Sequence, residues 1–378
     1  MLRYIVFFST LIMLSSVSFA GEAADKVEFK RLYAEFNELY ANSDDLDAII
    51  NVAESVYRYA PRVYSKTSKQ YAATLYNLAT LYHEKGENSQ TFYDSYKYLQ
   101  HSSIGKKAVD YYERYFIIID KFEEPYDRNY LDQYFEFVKA DTSFYGYKSD
   151  VARANRLISI AKDINLPGNE FANLNYTLGT LRIKAWQNKQ AKPFFKTAYD
   201  WTIANENDDH ILIGKSAYWL GLMAAGEEEF LLAEKYYLQA LDILPSKNAV
   251  DKDTIINIHF GLAHLYVLEN KLDKAAQHGQ LYSEQQGEDN NRTVPVVKAE
   301  PVFSYFTRKK KSADFIELEF TLDIKGIPKD IVVIETSKNN LVNPCVEAIK
   351  KFRFIPEWVN GKRAELHGVK YKFVFNAT

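Results

Sequence analysis

The residues of this sequence that could do chemistry are seven histidines, a single cysteine and several short clusters of carboxylates. Their spacing does not suit a metal site, because His259 and His264 are five residues apart and fall on different faces of a helix. Asp208 and Asp209 come just before an apolar helix, where carboxylates cap the chain and favour the helix dipole. The chain also lacks a Walker A loop, GxGxxG, HExxH and CxxC motifs and a nucleophile elbow. The sequence therefore predicts no enzyme, no cofactor and no metal ion.

Other conspicuous side chains have a structural interpretation beside a functional one. Cys345 is the only cysteine, so no intrachain disulfide can form, and its apolar helix face predicts a packed small hydrophobe. The basic run from Arg308 to Lys311 indicates a solvated loop, or alternatively a contact for acidic lipid, glycan or protein. A group of tyrosines near the N-terminus predicts packing between helix layers, or alternatively an aromatic face for a peptide or glycan. They are Tyr33, Tyr40, Tyr57, Tyr64, Tyr71, Tyr76 and Tyr82.

Most of these residues belong to a repetitive helical region. Leu178-Gly179, Leu220-Gly221 and Leu262-Ala263 recur at intervals of 42 residues. The best copy, from Ala217 to Pro245, spaces its small residues and its proline as a tetratricopeptide repeat does. Small residues let paired helices approach closely, so the pattern predicts about five or six helix pairs in an α-solenoid over residues 25–286. The predicted packing residues are Gly179, Ala191, Gly221, Ala233, Ala240, Ala263 and Ala275.

The N-terminal residues predict export from the cytoplasm. Arg3 is followed by an apolar core at residues 4–17 and by Ser18-Phe19-Ala20, a small-x-small cleavage site. We therefore expect a signal peptide over residues 1–20; an uncleaved anchor is the alternative, although the core is shorter than the roughly 20 residues that span a bilayer. The formal net charge of −3 gives no electrostatic reason to expect nucleic acid as a partner.

A different pattern follows the polar linker that is predicted at residues 287–298, and we expect a second domain over residues 299–378. Apolar and polar side chains alternate from Ile316 to Leu322, as in a half-buried strand. A turn at Lys325-Gly326 separates this strand from the β-branched run Ile331 to Ile334. These features predict two neighbouring strands at the start of the domain.

A short helix and a closing strand complete the second domain. Asn343 is expected to cap a helix that starts at Pro344 and runs to about Phe352. Apolar residues alternate with two lysines from Val369 to Phe375, so the apolar side chains should face the helix and leave the lysines on the open side of the sheet. The predicted order is strand, strand, helix, strand.

These C-terminal motifs resemble the C-terminal domain of the TonB family, the periplasmic arm that couples the inner membrane to outer-membrane receptors. The shared pattern is a D-x-x-G turn from Asp323, a K-D-I-x-V-I strand from Lys329, F-x-P from Phe354 and N-G-K from Asn360. The resemblance covers roughly a fifth of the chain. It implies that receptor segments are caught as added strands. We expect the closing strand to offer the exposed edge for this pairing, with the N–H of Tyr371 among its binding groups. The predicted partner-binding residues are Val369, Lys370, Tyr371, Lys372 and Phe373.

Together these features predict a tetratricopeptide-like α-solenoid followed by a small α+β domain of βαβ type that resembles the TonB domain. The expected function is a periplasmic protein–protein adaptor associated with TonB-dependent outer-membrane transport. A membrane-anchored energy transducer that uses the helical array as a spacer is the alternative. The expected partners are outer-membrane receptors or other proteins of the TonB system, without nucleic acid. Membrane contact is expected only if the signal segment stays uncleaved.

Overall fold

The computed structural model of the protein forms two compact units, Met1–Phe194 and Phe195–Thr378. The signal segment up to residue 19, the basic run 308–311 and most of the predicted linker lie outside the described residues. No helix within the described ranges is long and apolar enough to cross a membrane. The described residues are 20–88, 103–122, 125–205, 210–244, 252–286, 295, 297–303, 314–354, 357–359 and 362–375.

The described part of the first unit is helical, and aspartates cap three of its helices. Asp45 Oδ1 accepts hydrogen bonds from the backbone N–H groups of Asp47 and Ala48 at 3.1 and 3.0 Å. Asp127 and Asp150 cap later helices in the same way. The helices are α1 (Ala20–Asn42), α2 (Leu46–Val63), α3 (Lys69–Asn88), α4 (Ser103–Ile119), α5 (Arg128–Tyr145), α6 (Val151–Asp163) and α7 (Gly168–Lys184), and α8 (Asn188–Ala204) has residues in both units.

Aromatic side chains make up much of the core of the first unit. The rings of Tyr76 and Tyr115 have centroids 5.0 Å apart, and those of Phe116 and Tyr134 are 4.8 Å apart. All seven N-terminal tyrosines lie in this core or pack against it. A buried ring also explains two glycines that the repeat period does not mark, because a Cβ on either would overlap Phe144. These glycines are Gly86 and Gly105.

Helix pairs continue in the second unit, with α9 (His210–Gly226) packed on α10 (Phe230–Ile243) and α11 (Lys252–Leu268) packed on α12 (Leu272–Gln286). Backbone geometry repeats at the 42-residue interval seen in the sequence. Trp186, Glu228 and Asn270 all have positive φ, at 60°, 62° and 58°. Each of these residues follows the end of a helix, and the same hydrogen bond closes all three helix ends. In it, the N–H of the residue after the positive-φ residue donates to the backbone carbonyl five positions before that donor. The helical region therefore consists of tetratricopeptide-like helix pairs.

A three-stranded antiparallel sheet and a short helix form the C-terminal domain. The strand order is β2-β1-β5, and β3 pairs with β4 as a separate hairpin that the sequence did not suggest. The helix, α13, packs on one face of the sheet and buries Cys345 completely. The elements are β1 (Asp314–Leu322), β2 (Pro328–Thr336), α13 (Val342–Ile349), β3 (Glu357–Val359), β4 (Lys362–Ala364) and β5 (Leu366–Phe375).

The helix boundaries predicted for α13 were wrong at both ends. A 3₁₀ turn, Asn339–Leu341, runs directly into the helix, so Asn343 lies inside its first turn rather than at the cap. Pro344 is tolerated there because the first N–H groups of a helix have no intrahelical acceptor. The helix also ends at Ile349 rather than near Phe352.

The start of the C-terminal domain differs from the predicted linker boundary. Val297 is buried and forms an antiparallel bridge with Arg353, through N–H to O distances of 3.1 and 3.0 Å between their backbones. The Arg353 side chain is buried as well, and its Nη1 donates to the Phe352 carbonyl at 2.6 Å. Its Nε lies 3.4 Å from the carbonyl oxygen of Leu272 in α12. Val297 is therefore part of the domain rather than of a free linker.

Candidate protein-binding surfaces

An apolar groove lies among α9, α10 and α11 in the second unit. It has a volume of about 330 Å³, near the lower end of the roughly 300–1,000 Å³ typical of ligand pockets. Three of its side chains are unusually exposed for large hydrophobes, namely Leu222 at 44%, Phe260 at 48% and Leu268 at 56%. We call this surface the Tyr237 groove after the ring that lines it, and its polar lining includes Asn257.

Two glycines leave space for the Tyr237 ring that lines the groove. A Cβ on Gly221 would lie 2.8 Å from Tyr237 Cδ1, and a Cβ on Gly261 would lie 2.9 Å from Tyr237 Cζ. Burial, and then the neighbouring Tyr218, raise the pKa of the Tyr237 hydroxyl, which stays protonated at neutral pH. The repeat pattern marked Gly221 but not Gly261, whose only sequence signal is its place one residue before the Leu262-Ala263 pair.

Carboxylates lie in the turn next to the groove, just before α10 begins. Glu227, Glu228 and Glu229 are exposed in the turn between Ala225 and Phe230, and both of these flanking residues line the groove. The turn after α11 is close to the same end, because Lys271 Nζ lies 3.5 Å from Glu234 of α10.

The lysines at this end of the groove are engaged by other carboxylates. Lys271 also pairs with Glu269 at 3.0 Å, and Lys274 pairs with Glu234 at 3.3 Å. The hydrogen bond from Tyr266, followed by the lysines, lowers the pKa of Glu234. Because Lys271 and Lys274 are matched by Glu234 and Glu269, the exposed carboxylates of Glu228 and Glu229 leave a local excess of negative charge in the turn before α10.

The remaining residues of the predicted repeat pattern all lie inside helices and are buried. None of them carries a polar or reactive group, so their role is limited to packing. Pro245, which the pattern places at the end of α10, lies outside the described residues. The buried positions are Gly179, Ala191, Ala233, Ala240, Ala263 and Ala275.

The residues predicted for partner binding lie on β5, one of the two outer strands of the sheet. Val369 and Phe373 are buried beneath α13 and Tyr371 is partly buried, whereas Lys370 and Lys372 are exposed on the opposite face. Lys370 Nζ is 3.7 Å from a Glu319 carboxylate oxygen on β1, and Lys372 Nζ lies 4.1 Å from the centre of the Phe315 ring. The lysines thus face the open side of the sheet.

The backbone direction of β5 can be worked out from its neighbour. The Phe315 carbonyl accepts a hydrogen bond from Ser337 N at 2.9 Å, on the β2 side of β1. Directions alternate along a strand, so the next residue, Ile316, directs its backbone groups toward β5, where it is paired with Phe373.

The same alternation corrects the role predicted for Tyr371. Val369, Tyr371 and Phe373 direct their N–H and C=O groups toward β1, so these groups are not available to an added strand. Lys370 and Lys372 direct theirs outward. Among the described residues, no strand pairs with this outer edge of β5.

A contact between two histidines, His259 buried and His278 partly buried, does not make a metal site. His259 Nδ1 lies 2.9 Å from His278 Nδ1, whereas His264 lines the Tyr237 groove, so His259 and His264 are on different faces as predicted. Burial, and then the neighbouring His259, lower the pKa of His278 to about 4. Within the described part of the chain, no group of three or more His, Cys, Asp or Glu side chains could hold a metal ion.

Comparisons with known proteins show no family for this chain. No family model matches it and no curated protein matches it, so the resemblance to the TonB domain has no support there. Several solved structures are similar at low identity. Aspartyl phosphate phosphatase F from Bacillus subtilis is 13% identical, covers 73% of this chain and 78% of its own, and has a TM-score of 0.43.

Two further similar structures are a MamA fragment from Desulfovibrio magneticus and pilF from Pseudomonas aeruginosa. The MamA fragment is 17% identical, covers 56% of this chain and 97% of its own, and has a TM-score of 0.36. The pilF structure is 14% identical, covers 71% of this chain and 95% of its own, and has a TM-score of 0.31. At TM-scores below 0.5, the assignment of helix pairs rests on the packing and turn geometry described above.

Proposed function

We propose that the protein is a periplasmic adaptor that binds other proteins and that its C-terminal domain meets the TonB-dependent outer-membrane transport system. The observation that carries this proposal is the outer edge of β5, where Lys370 and Lys372 direct their backbone groups away from the sheet. An extended peptide can pair with such an edge, because each outward residue offers one N–H donor and one C=O acceptor.

Charge adds selectivity to this strand addition. The side chains of Lys370 and Lys372 are exposed on the open face of the sheet, so they favour a peptide with acidic residues. The backbone pairing supplies most of the affinity and does not depend on sequence, whereas the lysines select among peptides. The apolar segment and small-x-small site at residues 4–20 support a periplasmic location. No chemical step is part of the proposal, and the protein acts by binding alone.

A peptide titration tests the proposal. Acidic peptides from the N-terminal segments of TonB-dependent receptors are labelled and titrated with the purified protein by fluorescence anisotropy. Lys372→Pro removes an outward N–H and leaves the bonds to β1 intact, so we expect affinity to fall about tenfold or more. Lys372→Ala is the matched control, because it removes the charge and keeps the N–H. We expect it to weaken binding a few-fold, mainly at low salt.

A folding check and a second proline variant are the controls for this experiment. Circular dichroism must show that Lys372→Pro is folded, and Lys370→Pro repeats the test at the other outward lysine. If no receptor peptide binds, the association with outer-membrane transport is wrong. If peptides bind and both folded proline variants bind them as well as the unmodified protein does, strand addition at β5 is wrong.

A further inference from the structure

We infer that the Tyr237 groove binds a peptide segment that carries a bulky apolar side chain next to lysine or arginine residues. This inference rests on the proposed function, since it names a second class of protein partner for the same adaptor. The groove belongs to the helix pairs and not to the sheet domain, so the two surfaces can be tested separately.

The apolar part of the groove fits a side chain rather than a large ligand. Leu222 and Phe260 are exposed on its walls, and the buried ring of Tyr237, packed closely against Gly221 and Gly261, also lines it. The exposed apolar surface of the lining is unfavourably hydrated. Covering it with an aromatic or large aliphatic side chain is favourable by roughly 25 cal/mol per Å² of apolar surface removed from water. The modest volume of about 330 Å³ suits one or two such anchors.

The charge at the end of the groove selects what lies next to the anchor. Glu228 and Glu229 are exposed directly before Phe230, at the point where the groove meets the turn. Lys271 and Lys274, two basic residues near that end, are already paired with Glu234 and Glu269. An incoming lysine or arginine therefore meets an excess of carboxylates, whereas an acidic peptide, an anionic lipid or a nucleic acid is repelled.

A peptide selection on the purified protein tests the inference without a known partner. A random peptide library displayed on phage is selected against the immobilised protein, and the enriched sequences are read. We expect enriched peptides to place Phe, Trp, Tyr, Leu or Ile beside two or more basic residues. Enrichment of acidic peptides, or no enrichment, overturns the inference.

Variants then place the selected peptide in the groove. Phe260→Ser shortens an exposed wall, and we expect it to weaken the best peptide about tenfold or more, as loss of a central apolar contact does at protein interfaces. The matched control is Leu231→Ser, which changes a side chain that is 76% exposed on α10 and does not line the groove. Binding should be unchanged in the control. Equal binding by the Phe260 variant places the peptide elsewhere and refutes the site.

The carboxylates have their own readout. Glu228→Gln together with Glu229→Gln keeps both shapes and removes two charges, so we expect a several-fold loss of affinity at low salt that shrinks as salt screens the unmodified protein. An unchanged salt dependence refutes the assignment of basic residues to this turn. Failure here with normal receptor binding at β5 removes only the second partner. Basic peptides in the groove without receptor binding remove only the link to outer-membrane transport.

Discussion

Replacing Gly221 by alanine should destabilise the second unit through one ring. The added Cβ would lie 2.8 to 3.2 Å from three atoms of the Tyr237 ring. The other end of the ring is packed against Gly261, where an added Cβ would lie 2.9 Å from Tyr237 Cζ. The ring therefore has little room to move away from an alanine at position 221. Overpacking of this kind costs about 1 to 3 kcal/mol, whereas exchanging glycine for alanine inside a helix gains up to about 1 kcal/mol.

Gly226 provides the matched control for this substitution. It is the last residue of α9, its φ is not in the left-handed region, and nothing lies within 4 Å of an added Cβ. Gly226→Ala should therefore be neutral or slightly stabilising. The difference in free energy of unfolding between the two variants isolates the overpacking and should be about 1 to 3 kcal/mol.

Urea denaturation followed by circular dichroism measures both variants, and Gly221→Leu should be worse than Gly221→Ala. A smaller side chain at the contact offers a further check. Tyr237→Leu should be destabilising alone but should relieve the clash, so the double variant with Gly221→Ala should be more stable than the sum of the single effects predicts. Equal stability of the Gly221 and Gly226 alanine variants would mean that the close approach of the helix to this ring is wrong.

Two further predictions concern pH and the turn in the sheet domain. The pKa of His278 is lowered to about 4, so the unfolded chain binds the proton more readily between pH 4 and 6.5, and stability is lost as pH falls through that window. With allowance for partial exposure we expect about 1 to 2 kcal/mol, and His278→Leu should lose this part of the pH dependence in urea titrations at pH 7 and pH 4.5. Gly326 has a φ of 74° and its Cβ would overlap the Phe354 carbonyl oxygen, so Gly326→Ala should cost about 3 kcal/mol or more. Gly368→Ala has a similar φ of 71° with open space and should cost only about 1 to 2 kcal/mol, and equal thermal stability of the two would contradict the close approach.

The helical period could be predicted from the sequence because packing restricts residue type. Only a small side chain fits where two helices touch, so Gly221 and Ala233 stand out at fixed intervals. The turns repeat at the same interval but use Trp186, Glu228 and Asn270 at positive φ, and only the last of these is a residue type that commonly adopts that conformation. Tertiary packing of the helices imposes the positive φ at these turns, so it cannot be predicted from the residue types there.

The Tyr237 groove could not be predicted from the sequence, because it also depends on how the helices pack. Its floor needs Gly221 and Gly261 on different helices to meet one ring, and they are 40 rather than 42 residues apart, so the repeat does not pair them. The exposed residue Phe260 is also part of an apolar run that favours burial. Only the packing of α9, α10 and α11 shows that this side chain is left facing solvent.

Alternation along β5 shows why the direction of its side chains can be predicted from the sequence and the direction of its backbone groups cannot. Side chains alternate between the two faces of a sheet, so hydrophobicity alone placed Val369 and Phe373 toward the helix and the lysines away from it. Backbone groups alternate between the two edges with the same period, but they carry no residue type to read. Which set faces outward depends on the side of β5 at which β1 pairs, and that pairing is fixed by the topology β2-β1-β5. The residues with exposed side chains, Lys370 and Lys372, are also those with outward backbone groups, so a peptide at this edge would meet charge and hydrogen-bonding groups from the same two residues.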